Sequence, residues 1–150
     1  IIHQPYATLA EKEGTGHVLA KTWEFLPGYH TGVIVASQKM IDEQPDVVER
    51  VLEVYFYVNE YAKRHLDEFI PWAAGYLNVD EDTAREAIEA EIVLWENDPV
   101  VDTSRLQVTE DLLAKYGMQR ESYRVDGVVD NRFAEKVANS LKLGKYASGN

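Results

Sequence analysis

Gly32-Val33-Ile34-Val35-Ala36-Ser37 is the stretch on which the fold turns. Three β-branched residues stand in a row, closed by Gly on one side and Ser on the other, as in a short buried strand. Upstream, His17-Val18-Leu19-Ala20 has the same character and follows a break at Gly14-Thr15-Gly16. Between the two, Trp23 to Thr31 reads as a loop carrying Pro27, Gly28, Tyr29 and His30. Residues 1–13 start extended and turn helical, with Pro5 in the first turn and Tyr6, Leu9 and Ala10 as a short apolar face. Read this way, the front of the chain supplies a small sheet of two or three strands. The fold class is then α/β and helix-rich.

From Ser37 onward the pattern is helical. Ser37 is a good N-cap for a short helix through Met40 and Ile41. Pro45 at a first helical position, with Asp46 behind it, opens the longest helix, to about His65. Val47, Val51, Val54/Tyr55, Val58 and Ala62 fall at i, i+4, i+7/8, i+11 and i+15, one continuous stripe. The stripe is expected to be core, so that Val51→Asp would abolish soluble expression. Tyr55-Phe56-Tyr57 adds aromatics outside it, and core packing is preferred for them over a partner-binding patch. A third helix runs from Leu66 to Leu77, with Phe69, Ile70, Ala73 and Leu77 inward and Pro71 early. Asp80 caps a fourth, to about Trp95, which Asn97-Asp98-Pro99 ends. Residues 99–108 read as loop or extended chain. Thr109 caps a helix through Lys115, stopped by Gly117. Residues 119–130 read as irregular, and Asp130 caps a last helix to about Leu141. No internal repeat, low-complexity tract or heptad run is present. Residues 1–143 are expected to form one domain, with 144–150 a frayed tail.

Composition narrows the function classes. The chain of 150 residues has 15 Lys and Arg against 26 Asp and Glu, a net charge of −11. A nucleic-acid surface wants the opposite sign, and so does attachment to an anionic membrane. No apolar run is long enough to insert in a bilayer. Cysteine is absent, which removes disulfides, thiolate metal sites and a Cys nucleophile.

Residue chemistry offers little for catalysis. The four histidines, His3, His17, His30 and His65, lie in no metal-ligand spacing. His65 ends the long helix, where a cation suits the carbonyl end, and His17 opens a strand; both read as structural. His3 and His30 sit in loops beside strands, where open α/β sheets place ligands. Glu86, Glu89, Glu91 and Glu96 read as a solvated acidic face, since no Glu-x-x-His accompanies them. No serine lies in a G-x-S-x-G elbow, and no phosphate-binding loop is present. No reaction, metal or cofactor is expected.

The order of segments resembles one family. His3-Gln4-Pro5-Tyr6-Ala7-Thr8-Leu9-Ala10-Glu11-Lys12-Glu13-Gly14 is similar to the W-E-P-Y…A…G segment of the nitrate/sulfonate/taurine-type substrate-binding proteins of ABC importers. Val18-Leu19-Ala20 matches the strand that follows. Pro27 to Ser37 is similar to the family's Pro-rich turn and V-L-V-A-S/R strand, and Met40 to Val48 to its F-x-x-x-x-P-E-x-V helix start.

The resemblance covers roughly residues 1–138 and implies the C-terminal part of a type II periplasmic binding fold. It implies a partial lobe with a small sheet, and a second lobe encoded upstream. The implied function is binding of a small polar or anionic solute, a sulfonate or a pyrimidine-like compound, and its delivery to an ABC permease. Carried over by position, ligand contacts fall on His3, Gln4 and Tyr6 and on Tyr29, His30 and Thr31. His3-Gln4 stands where the family has Trp-Glu, so the ligand class does not transfer. The location implied is periplasmic or extracellular for a full-length receptor, and cytoplasmic for a stand-alone lobe. Two other readings stay open. One is a homodimer, an interaction module with a vestigial cleft. The other is an enzyme like the thiamine-pyrimidine synthases, with a bound cofactor and a reactive histidine.

Overall fold

The computed structural model describes residues 2–26, 32–95 and 97–143. Its elements are α1 (Tyr6–Lys12), α2 (Thr22–Phe25), α3 (Gln38–Glu43), α4 (Pro45–Arg64), α5 (Leu66–Leu77), α6 (Glu81–Glu91), α7 (Thr103–Lys115) and α8 (Arg132–Leu141). Two 3₁₀ turns, Ile92–Leu94 and Val125–Gly127, complete the order. No described residue is in a β-strand. The expectation of an α/β fold, a partial binding-protein lobe with a small sheet, is therefore corrected: the described chain is helical.

The reason lies in the two stretches read as strands. Residues 17–20 and 32–36 have irregular backbone and exposed side chains, Val35 and Leu19 among the most exposed apolar groups. A β-branched run scores as a strand because it fits a pleated, half-buried surface. Here no ladder forms and no such surface exists. The amide of Val18 is held instead by the Glu11 carboxylate at 2.9 Å.

The chain divides into two compact units. The first takes Ile1–Lys21 and Tyr57–Asn97. Its centre is a helical hairpin of α5 and α6, whose buried Ile70, Ala73, Ala74, Ala84 and Ile88 are ringed by Leu66, Phe69, Val79 and Trp95. Alanines at the contact let the two helices approach closely. The turn between them is specified locally. Asn78 takes a left-handed conformation (φ 56°), and its amide reaches the Ala74 carbonyl. Asp80 then caps α6, accepting from the Thr83 amide at 2.8 Å and the Thr83 hydroxyl at 2.7 Å.

The second unit takes Thr22–Phe56 and Asp98–Asn150. Phe56, Val137 and Leu143 form its buried cluster, with Leu52 and Leu141 against them. Ser37 caps α3 as expected, its hydroxyl accepting from the Met40 amide at 3.2 Å. The helix expected from Thr109 begins earlier, at Thr103, because Asp102 caps it by accepting from the amides of Ser104 (2.9 Å) and Arg105 (3.2 Å). Gln107, on α7, holds the returning chain: its amide donates to the Tyr123 carbonyl at 3.0 Å, and its oxygen accepts from the Val125 amide at 3.1 Å.

The α4 stripe is where the packing departs most from the sequence reading. Val51, Val54 and Val58 are 55%, 62% and 53% exposed. The buried residues of α4 are Val48, Phe56 and Ala62. The aromatic triplet splits accordingly: Phe56 is inside, while Tyr55 and Tyr57 stand in solvent.

Candidate functional site

His3, Gln4 and Tyr6 share the turn that starts α1. The Gln4 oxygen accepts from both the amide (3.2 Å) and the hydroxyl (2.9 Å) of Thr8, so it caps the helix. The His3 carbonyl takes the Tyr6 amide at 3.1 Å, and the side chains of His3 and Tyr6 are exposed. Tyr29, His30 and Thr31 lie outside the described residues. Among the described residues no group of three or more His, Asp or Glu is placed to hold a metal ion. Nor is any described helix long and apolar enough to cross a membrane.

His65 stacks on Tyr61, with ring centroids 4.1 Å apart and planes 23° apart, at the junction of α4 and α5. The Tyr61 hydroxyl donates to the Glu68 carboxylate at 2.9 Å, which pushes the phenol pKa upward. Glu86, read as part of an acidic face, pairs with Lys12 at 3.3 Å.

The surface that stands out is the outer face of α4. Val47, Val51, Val54, Val58 and Tyr61 succeed one another at steps of four, three, four and three. That is the spacing of a coiled-coil seam, which keeps one apolar line facing a partner helix. Val51, Val54, Val58 and Tyr61 are exposed, and Val47 is half-buried. Tyr55 and Tyr57 widen the line on its two sides. Val47, Arg50, Val51, Val54 and Tyr55 line a shallow open concavity of about 500 Å³. Scattered exposed apolar residues are ordinary on a protein surface, but a contiguous apolar band along a 20-residue helix is not.

Charges border this seam without entering it. Arg50 pairs with Asp46 at 3.0 Å, and Arg64 with Glu60 at 2.7 Å. Glu60 also accepts from Asn97 at 2.9 Å; that bond, with Arg64 beside it, holds its carboxyl below the usual carboxylate range. Each bordering arginine thus has its counter-charge one turn away on the same helix. Sequence reasoning found the stripe but assigned it to the core. The signal that separates the two roles is a second set of apolar residues on α4, Val48, Leu52 and Phe56, displaced by one position from the stripe.

No protein-family model matches this chain, and no curated protein and no solved structure is similar to it.

Proposed function

We propose that this protein is a helical interaction module whose α4 receives an amphipathic α-helix of a protein partner along the Val47–Tyr61 seam. The observation that carries the reading is the exposed four-three repeat of valines on a helix whose other face is already packed. Helix-in-groove docking reads apolar anchors at this spacing. Tyr61 is pre-ordered for contact by its stack on His65 and its bond to Glu68. A pre-ordered side chain loses less rotamer entropy on binding. Small-ligand binding at the start of α1 has less support, because the Gln4 acceptor is already occupied by Thr8.

The test uses a fluorescein-labelled peptide of three heptads, with Val and Leu at the seam positions and uncharged flanks. Its anisotropy is followed as the full chain is added. Saturable binding is expected, weakened about tenfold or more by Val54→Asp, since a charge in a desolvated seam is costly. A chain that binds neither this peptide nor itself overturns the reading.

A further inference from the structure

We infer that the α5–α6 hairpin carries a second docking surface, where Trp72 and Tyr76 of α5 receive an arginine side chain from a basic segment of a protein partner. The surface lies within one packing unit and does not depend on the α4 seam. Phe69, Trp72 and Tyr76 succeed one another at steps of three and four, so α5 presents them on one face. They form a ladder. The ring centroids of Phe69 and Trp72 lie 5.5 Å apart with planes at 27°, and those of Trp72 and Tyr76 lie 5.4 Å apart at 10°. Phe69 anchors the ladder, since it packs against the hairpin core and meets Trp95 edge-on, centroids 5.9 Å apart. The other two rings stand in water: Trp72 is 61% and Tyr76 77% exposed. Tryptophan is highly buried on average, so a Trp held open between two other rings is informative.

Charge selects the occupant. The packing unit that contains the ladder holds twelve Asp and Glu against five Lys and Arg, a net −7 of the chain's −11. Eight of the twelve lie between Leu66 and Glu91, with Arg85 the single cation among them. Glu68 stands one turn before Trp72, on the flank of the ladder. The Tyr61 hydroxyl orders its carboxylate at 2.9 Å, and the side chain stays 60% exposed with acceptor capacity to spare. Aromatic faces attract cations, tryptophan most strongly. A guanidinium lies flat on a ring while its N–H groups reach a carboxylate, whereas an ammonium is a point charge without a plane. Two open rings with a carboxylate one turn away therefore fit arginine better than lysine. The rings lie against one another in a row and enclose no space, unlike the aromatic cage that a quaternary ammonium needs. A nucleic acid and a second copy of this chain both bring net negative charge to an acidic hairpin, and both are repelled.

The experiment is fluorescence anisotropy of a labelled peptide of three Arg-Gly-Gly repeats as the full chain is added, in low and in high salt. A matched Lys-Gly-Gly peptide is run beside it. Saturable binding is expected, severalfold tighter for the Arg peptide and weaker in high salt. Trp72→Leu keeps an apolar side chain and removes the ring. It should weaken the Arg peptide roughly fivefold or more and bring it level with the Lys peptide. Tyr76→Leu should act in the same direction, and both variants should keep the wild-type circular dichroism, because both side chains are exposed. Three outcomes overturn the inference. An Arg peptide that does not bind denies the ladder this occupant. Arg and Lys peptides of equal affinity reduce the contact to the diffuse attraction of an acidic surface. Trp72→Leu and Tyr76→Leu proteins that both bind the Arg peptide as tightly as wild type place the contact elsewhere.

Discussion

The Lys12 ammonium, on α1, donates to the hydroxyl of Thr83, on α6, at 3.0 Å. Thr83 is fully buried, and its hydroxyl donates in turn to the Asp80 carboxylate at 2.7 Å. The same ammonium lies 3.3 Å from Glu86 and 3.8 Å from Asp80. One threonine therefore links the cap of α6 to the first helix of the chain.

Thr83→Val keeps the shape and removes both hydrogen bonds. It should cost on the order of 1 kcal/mol, the net worth of an ordinary hydrogen bond, since Asp80 and Lys12 both keep access to water. Thr83→Ser should recover most of it. Urea unfolding of the two variants decides; equal stability of Thr83→Val and wild type would mean the hydroxyl link carries no weight.

Acid should unfold this protein through a small set of carboxylates. Hydrogen bonds from the side chains of Thr83, Ser104, Ser122 and Arg132 hold Asp80, Asp102, Asp111 and Asp130, respectively, below their ordinary pKa. A folded-state pKa below the unfolded one adds stability that is complete above the unfolded value. That stability is lost as pH falls through the folded value. The denaturation midpoint is thus expected to be flat from about pH 7 to about pH 5 and to drop below about pH 4. Asp102→Asn should shrink the drop. A midpoint that rises on acidification would contradict the assignment.

Ile70 and Val51 should respond in opposite ways. Ile70 is wholly buried between α5 and α6, and Ile70→Ala should cost about 2–5 kcal/mol by loss of contact and creation of a cavity. Val51 is more than half exposed, so Val51→Asp should stay within about 0.5 kcal/mol of wild type in dilute solution. Thermal melts of both variants, side by side, place the core. Loss of soluble Val51→Asp protein would move it onto the outer face of α4.

Gln107 clamps the chain between α7 and α8, beside Glu110, which accepts from the Tyr123 amide at 3.1 Å. Gln107→Ala removes the acceptor of the Val125 amide and the donor to the Tyr123 carbonyl. Hydrogen exchange at Val125 should accelerate about tenfold or more, while α8 keeps its protection. Unchanged exchange at Val125 would show that packing alone holds the turn.

Local chemistry made the helices readable. Ser37 and Asp80 announce α3 and α6 because their side chains satisfy amides that no helix can satisfy for itself. Leu66 to Leu77 was legible as α5 to its ends. Asp102 carries the same signal inside the stretch read as loop, where it caps α7. The Val33-Ile34-Val35 run misled, since a strand is defined by its partner and a sequence run does not show whether one exists. On α4 the apolar arc is wide enough for two faces. Periodicity locates an arc but does not say which part of it meets the protein and which meets solvent. At Gln4 a side chain able to hold a ligand is also a good local cap, and its oxygen accepts from Thr8 four residues on.

α4 belongs to both packing units, through Phe56 to one and from Tyr57 to the other. A 20-residue helix stripped of packing is marginal in water. When either unit melts, half of α4 loses its support, and the other unit then ends in a fraying helix. Melting of either unit should therefore fray the half of α4 that it supports, and a proteolytic cut within α4 should cost each unit the packing of its own half.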